Sequence, residues 1–309
     1  MNISVIIPLY NESPTLRELF QSLRTSLEPL EKTYEIIFVD DGSTDDSFSV
    51  LKEIYEHNDN VGIVKLRKNY GKTGALFAGF SESRGEIVVT MDSDLQDSPS
   101  EIPNLIMKLE EGCDLVCGWK FERKDPFTRR MFSKIFNWAI SFFSEVKIHD
   151  FNCGLKVFRR EVLMELDLYG EMHRFIPALA GWKGFKIGEV KVKHSSRRYG
   201  KSKFGLNRYL RGFFDFLTVL MLLKYIKRPL HLFGGLGILI GLIGLVINIY
   251  LSIGWIYGRW IGHRPLLILG VLMIIIGIQT IFFGLMAEMM NYLSSKEMGP
   301  SISQILRKK

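Results

Sequence analysis

The feature that most constrains this chain is a pair of apolar runs near its C-terminus, residues 230–255 and 265–290, which are almost bare of charge. Roughly 25 residues of α-helix extend ~37 Å, more than the ~30 Å hydrocarbon core of a bilayer, so each run can span with some tilt. A core helix of a soluble domain seldom runs so far without a charge, which argues against a buried hairpin. Neither run is N-terminal, and Met1 leads directly into a strand-like segment, so no secretory signal is expected. Upstream of residue 228 the chain is ordinary mixed protein. With 24% charged and 47% apolar residues, 28 Gly and 10 Pro among 309, wholesale disorder and collagen-like repeats are excluded.

Cations set an orientation. Lys224, Lys227 and Arg228 precede the first run and Lys296, Arg307, Lys308 and Lys309 follow the second, whereas the connection carries only Arg259 and Arg264. The soluble part and the C-terminus are therefore both expected in the cytoplasm, with Trp255, Tyr257 and Trp260 at the opposite interface. The organisation expected is a catalytic domain over 1–190, a basic amphipathic juxtamembrane segment over 191–229, two transmembrane helices within 230–290 and a cytoplasmic tail over 291–309. Gly270, Gly277 and Gly284 recur at seven residues and Gly237 and Gly241 at four, a spacing that lets helices or subunits pack closely, so a homo-oligomer through these helices is expected. Asn248 and Gln279 read as interhelical contacts, and an anchor is expected, with flipping of any product left to another protein.

The first 120 residues alternate strand and helix signals. Strands are expected over 3–9, 34–39, 61–66, 86–91 and 114–119, and helices over 15–27, 72–83 and from Pro99, with Ser43 and Asp46 resembling a helix-opening cap. Near-continuous apolar strands alternating with helices imply a mostly parallel sheet covered on both faces, with ligands beyond the carboxyl ends of the strands. Those ends are polar: Pro8, Tyr10, Asn11 and Glu12 after the first, Asp40, Asp41, Gly42 and Ser43 after the second, and Asp92, Ser93, Asp94, Leu95 and Gln96 after the fourth. Any one acidic end could be a helix cap; together they point to a cation site. Asp92 and Asp94, two apart at a strand end, would share a side in an extended chain, and with Gln96 they offer hard oxygen donors suited to Mg²⁺ or Mn²⁺.

Other chemistries find no support. Gly71, Lys72 and Thr73 resemble the end of a phosphate-binding P-loop, but the earlier glycine would fall at Leu66; Gly71 and Gly74 instead allow close packing, or an anion, at a helix start. There is no Gly-x-Ser-x-Gly elbow. Cys113, Cys117 and Cys153 lack a second pair of zinc ligands and read as small buried residues.

Between Lys191 and Arg228 there are eleven Lys or Arg and one acid, Asp215, interleaved with Phe204, Tyr209, Phe213, Phe214 and Phe216. This mixture fits amphipathic helices in a membrane interface; nucleic acid could use a similar composition, but two adjacent spans argue against that partner. A second cluster, Lys120, Arg123, Lys124, Arg129 and Arg130, precedes the amphipathic stretch 132–143 and can attract anionic headgroups or seize a lipid phosphate. Arg198, Gly200, Ser202 and Lys203 form a compact set of donors for such a phosphate.

With these features assembled, the segments Ser4 to Glu12, Val39 to Asp45, Met91 to Asp97 and Arg198 to Lys203 resemble inverting GT-A glycosyltransferases of family two, and among them polyprenyl-phosphate glycosyltransferases such as dolichol-phosphate mannose synthase and bactoprenol glucosyltransferases. The resemblance implies a Rossmann-like α/β GT-A catalytic domain with amphipathic interface helices and two C-terminal transmembrane helices. It implies transfer of a hexose from a nucleotide sugar of the UDP-glucose or GDP-mannose type to a polyprenyl phosphate, at the cytoplasmic face of a bacterial inner membrane. By position Pro8, Tyr10, Glu12 and Asp41 match the nucleotide-sugar pocket, Asp92, Asp94 and Gln96 match the metal and diphosphate site, and Arg198, Ser202 and Lys203 match the acceptor phosphate side; the residues themselves add Asp40 to the first and Lys120, Arg123 and Arg130 to the last. Asp94 and Asp150 are the expected catalytic residues. Asp150 opens a segment that departs from the usual Asp-Pro-x-x-Gly form, since Phe151 replaces proline.

Two rivals remain on the residues alone: a processive polysaccharide synthase, for which two spans are too few to form a channel and a Gln-x-x-Arg-Trp motif is lacking, and a non-enzymatic membrane scaffold that binds nucleotide sugars, against which the intact metal motif counts. The charge asymmetry predicts that a tag after Lys309 reacts with impermeant reagents only from the cytoplasmic side; labelling from the opposite side reverses the orientation.

Overall fold

The computed structural model describes residues 1–121, 137–138, 140–142, 144–166, 172–193, 229–258 and 265–294. The chain divides into two units, residues 1–219 and 220–309.

The first unit is built on a seven-stranded sheet. Its strands are β1 (Ile3–Leu9), β2 (Tyr34–Asp40), β3 (Val61–Lys65), β4 (Ile87–Thr90), β5 (Leu115–Lys120), β6 (Lys156–Arg159) and β7 (Ile187–Val192), in the spatial order β3-β2-β1-β4-β6-β5-β7. β1, β2, β3 and β4 run parallel, β6 is antiparallel to both its neighbours, and β5 pairs with β7 in parallel. The five strands expected from sequence are present, and the sheet is mostly parallel. β6 and β7 are additions that periodicity does not announce: one has four residues, and the other alternates apolar with charged side chains along an edge.

Central strands are apolar because both faces are covered. Every residue of β1 is buried. Pro8 is tolerated there because the β1–β4 ladder ends at the Ile6–Thr90 pair, so its missing N–H costs no bond to β4. Helices α1 (Leu16–Leu27), α2 (Ser47–Glu56), α3 (Gly71–Glu82) and α4 (Ile102–Glu110) connect the parallel strands, and α5 (Arg160–Met164) and α6 (Ile176–Trp182) follow β6. The 3.6-residue pattern turns Leu16, Leu19, Phe20, Leu23 and Leu27 of α1 into the core. The expected cap by Ser43 and Asp46 is not made. α2 starts at Ser47 with no side-chain cap from Asp46; Asp45 accepts the Ser47 N–H at 3.0 Å, while the Ser43 hydroxyl accepts the Asn11 N–H at 2.9 Å.

At the amino ends of the strands a polar clamp locks β1, β2 and the α3–β4 turn together. The Ser4 hydroxyl donates to Glu35 Oε1 at 2.6 Å and accepts the Gly85 N–H at 2.7 Å. Glu35 also accepts the backbone and guanidinium N–H groups of Arg84. Burial alone would raise the Glu35 pKa, but the bonds from Ser4 and Arg84 outweigh it and hold the carboxyl below its ordinary value.

In the second unit, α7 (Pro229–Ile256) and α8 (Pro265–Ser294) form a hairpin of helices long and apolar enough to cross a membrane, with most of their side chains unburied by protein. Glycines bring the two backbones together. A Cβ on Gly237 would lie 2.5 Å from the Gly277 carbonyl oxygen, and one on Gly244 would lie 2.6 Å from that of Gly270. The glycine spacing therefore serves contact between α7 and α8. Asn248 donates to the Gly244 carbonyl at 2.8 Å, within its own helix. Glu288 takes a part the sequence does not advertise: it accepts the Leu230 N–H at 3.2 Å, capping the start of α7.

The Glu35 clamp makes a pH prediction. A carboxyl with a depressed folded pKa contributes stability in full above its unfolded value of about 4.3 and loses it as pH falls through the folded value. Denaturant titrations of wild type and Glu35→Gln should therefore differ most near neutral pH and converge below about pH 4. A gap that widens in acid contradicts the clamp.

Candidate active site

The carboxyl ends of β1, β2 and β4 lie side by side, and their polar residues interlock. Asn11, held at φ 55°, donates through its side-chain amide to Thr44 at 3.2 Å and accepts the Thr44 N–H at 2.8 Å. The Glu12 N–H bonds the Ser47 hydroxyl at 3.0 Å. Pro8, Asp40 and Asp41 are buried, while Tyr10 and Glu12 are half-buried at the rim. Asp40 Oδ1 accepts the Ser43 N–H at 2.8 Å, which closes the turn after β2. Gly42 completes this turn at φ +72°, where a Cβ would sit 2.7 Å from the backbone of Lys68.

Asp41 crosses to α3. Its two carboxylate oxygens accept the N–H groups of Tyr70 at 2.7 Å and Gly71 at 2.9 Å, so the anion at this helix start is a side chain of the protein. Burial raises its pKa, and the neighbouring Asp40 charge adds to the rise.

β4 stops at Thr90, and residues 93–95 make a turn with Leu95 at φ 59°. The extended geometry expected for Asp92 and Asp94 is therefore replaced by a tight one, in which Asp94 Oδ1 accepts the Gln96 N–H at 3.2 Å. Asp92 turns towards α3 and forms an ion pair with Lys72. Its carboxylate lies flat against Gly154, where a Cβ would come within 2.5 Å of Oδ2. The Thr90 hydroxyl donates to the Gly154 carbonyl at 3.0 Å, fixing the same approach. Burial opposes ionisation of Asp92, but the Lys72 and Lys120 charges dominate and hold its pKa far below the usual carboxylate range.

Lys120, expected on the acceptor side, ends β5 with its ammonium 2.9 Å from Asp97, and both side chains are largely buried. Burial disfavours its charge, yet the surrounding anionic groups, Asp97 and Asp92 among them, raise its pKa. In this structure Lys120 is a counter-ion of the acidic edge. His173 lies behind α3, with Nδ1 2.8 Å from the Thr73 hydroxyl; burial and then the nearby Lys72 and Arg174 charges push its pKa well down, so it stays neutral. Lys72, Asp97 and His173 were not singled out from sequence as site residues. The one signal for Lys72 in the sequence is its place in Gly71-Lys72-Thr73.

Asp150 is 1% exposed, and its Oδ1 accepts the Asn152 N–H at 3.1 Å. The segment 150–154 reaches the site without its proline because Phe151 is fully buried and anchors it, and because Gly118 of β5 leaves room for the Cys153 sulfur. Cys117 and Cys153 are buried, and burial pushes the Cys117 thiol up to about 12, consistent with packing roles. Arg123, Arg130, Arg198, Ser202 and Lys203 lie outside the described residues, as does most of the amphipathic belt.

Among the described residues no three His, Cys, Asp or Glu side chains converge as a ready-made metal cage. The donor set at the β4 turn nevertheless fits Mg²⁺ or Mn²⁺, ions commonly held by one or two carboxylates with substrate phosphates and waters completing the shell. Asp94 and Gln96 carry side-chain oxygens at this turn, and the lysine charges favour the ionised form of Asp92.

The glycosyl transferase family 2 description matches residues 4–167. The chain belongs to glycosyl transferase family 2. Over 295 residues it is 38% identical to the dodecaprenyl-phosphate galacturonate synthase of Rhizobium johnstonii, an alignment covering 94% of this chain and 87% of that one. It is 34% identical over 289 residues to the undecaprenyl-phosphate 4-deoxy-4-formamido-L-arabinose transferase of an Enterobacter species, covering 93% and 87%. Among solved structures, glucosyl-3-phosphoglycerate synthase of Mycobacterium tuberculosis with UDP superposes with a TM-score of 0.54 at 22% identity, over 72% of this chain and 79% of that one. A mannosyltransferase of Pyrobaculum calidifontis with GDP-Man and Mn²⁺ gives 0.52 at 22% identity, over 71% and 63%. This likeness establishes the GT-A type of fold for the family 2 domain.

Lys72 places a half-exposed ammonium at the helix start nearest the paired carboxylates, where the charge of a nucleoside diphosphate would need compensation. Loss of one charge-assisted contact of about 1.5–3 kcal/mol implies that Lys72→Met weakens UDP or GDP binding roughly tenfold or more, measurable by calorimetry in the presence of Mn²⁺. Unchanged affinity restricts Lys72 to pairing with Asp92.

Proposed function

We propose that this protein transfers a sugar from a nucleotide-sugar donor to a polyprenyl phosphate, with inversion, at the cytoplasmic face of a membrane. The observation that carries the reading is that one chain joins a family 2 domain, with carboxylates at its strand ends, to a long apolar helical hairpin, and matches over 94% of its length a relative named for a dodecaprenyl-phosphate product.

The chemistry is consistent with these groups. An oxygen of the acceptor phosphate attacks the anomeric carbon of the sugar; the bond from that carbon to the diphosphate breaks, and the nucleoside diphosphate leaves with the electron pair. A phosphate monoester with a second pKa of ~6 is mostly dianionic at neutral pH, so the nucleophile needs no general base. Catalysis then rests on holding two anions in line, which calls for cations on both sides. Asp94, with Asp92 and Gln96, would hold a Mg²⁺ or Mn²⁺ ion that compensates charge on the leaving diphosphate. Pro8, Tyr10, Glu12, Asp40 and Asp41 form the wall assigned to the nucleotide, and Asp150 is assigned to orient the sugar. Arg123, Arg130, Arg198, Ser202 and Lys203 are assigned to the acceptor phosphate.

The names of the relatives widen the range of sugars beyond glucose and mannose to galacturonate and 4-deoxy-4-formamido-L-arabinose. A homo-oligomer would use the faces of α7 and α8 that their mutual contact leaves unburied.

The test is turnover. Purified full-length protein in detergent, given undecaprenyl phosphate, Mg²⁺ or Mn²⁺ and a panel of UDP- and GDP-sugars, should yield a lipid-linked sugar from at least one donor. Asp94→Asn or chelation should lower the rate by a hundredfold or more, consistent with loss of charge stabilisation worth several kcal/mol. Tight donor binding without transfer to any lipid phosphate favours a nucleotide-sugar sensor.

A further inference from the structure

The segment that carries Asp150 is held by a residue far along the chain, on the edge strand β7. Glu189 Oε1 accepts two successive backbone N–H groups, from His149 at 2.8 Å and Asp150 at 3.0 Å. Its other oxygen lies 2.7 Å from His149 Nδ1. An ionised carboxylate only accepts, so His149 carries its proton on Nδ1 in this bond. The His149 ring in turn stacks on Trp119 of β5, with centroids 4.0 Å apart and planes 10° from parallel. Asn137 closes the third side by donating its side-chain N–H to the His149 carbonyl at 2.8 Å.

The Glu189 side chain is only 12% exposed, although it sits on an edge strand where most residues are half-buried. Sequestering a carboxylate is a costly way to tie down a loop, since a neutral acceptor such as glutamine could take the backbone N–H bonds with less desolvation. Glutamine could take the two main-chain N–H groups on its one oxygen, but it would face the imidazole with an amide N–H and so demand the opposite His149 tautomer. The carboxylate fixes the direction of the Asp150 backbone and the orientation of the adjoining ring together. The Cys117–Glu189 and Trp119–Lys191 register places Glu189 and Lys191 on one side of β7, and Lys191 lies 4.5 Å from the centre of the Phe121 ring and 5.3 Å from that of Trp119. β5, β7 and the Asp150 segment are thereby joined by one set of polar and ring contacts.

We infer that Glu189 is a positioning residue for sugar transfer: through its carboxylate it sets the register of the Asp150 segment against β5 and β7, so that Asp150 meets the donor sugar in a single orientation. The inference rests on the proposed role of Asp150 in transfer.

The experiment is a double-mutant cycle on the full-length enzyme with Glu189→Gln, Asp150→Asn and the pair together. Glu189→Gln is expected to lower kcat at least tenfold, with KM for donor and acceptor changed less than twofold and the thermal midpoint nearly unchanged. In the Asp150→Asn background the same substitution should change kcat less than twofold. Hydrogen exchange supplies a second readout if the Asp150→Asn enzyme turns over too slowly: Glu189→Gln should accelerate exchange in residues 148–152 and leave that of β1 and β2 unaltered. Equal fold losses in both backgrounds, unchanged exchange at 148–152, or a loss that follows a fall in thermal midpoint overturns the role of Glu189 and leaves that of Asp150 standing. Full activity of Asp150→Asn removes the assignment of Asp150, and the inference falls with it.

Discussion

The ion pair between Asp92 and Lys72 is the contact on which the arrangement of the site depends. It joins the end of β4 to the start of α3, and it compensates a carboxylate whose ionisation burial opposes. Lys120, paired with Asp97, adds a second positive charge from β5. Gly154 then lets the Asp150 segment lie directly on the Asp92 carboxylate, because any side chain there would occupy the space of its oxygens. Four separate stretches of sequence are thus brought together by charge and by the absence of one methyl group.

The same balance shapes the acidic end of β2. Asp41 spends both oxygens on the N-terminus of α3, which orients that helix and with it Lys72. Asp40 closes the turn that presents Asp41. These aspartates therefore hold one another's surroundings in place before any ligand arrives, the condition under which fixed charges act without reorganisation during a reaction. At the opposite ends of the strands, the Glu35 clamp keeps β1 and β2 in register through bonds that serve stability alone.

Much of this was legible in the sequence. The strands β1 to β5 announce themselves by near-continuous apolar runs, and the polar residues that follow them mark the ligand-facing edge of a parallel sheet. The two apolar helices and the glycines between them were equally plain, since bilayer thickness and close backbone approach are one-dimensional constraints. Other features escaped for physical reasons. β6 is too short to show a period, and β7 alternates apolar and charged residues as an exposed element might. The spacing of Asp92 and Asp94 suits neighbours on an extended strand, whereas the left-handed backbone at Leu95 folds them into a turn. The side-chain cap expected of Ser43 and Asp46 is absent, and the Ser47 N–H is taken instead by Asp45, a detail that hydrogen-bond geometry alone resolves.

By itself the sequence determined the class of the protein: an α/β domain with acidic strand ends, followed by a hairpin able to cross a bilayer. Those properties follow from periodicity, length and local charge, which are carried by residues close together in the chain. The tertiary structure alone decided which charges compensate one another, placing Lys72 on Asp92, Lys120 on Asp97 and Glu189 beneath His149 and Asp150. Such partners are set by strand order and by the insertion of β6 against its neighbours, and no spacing along the chain encodes them.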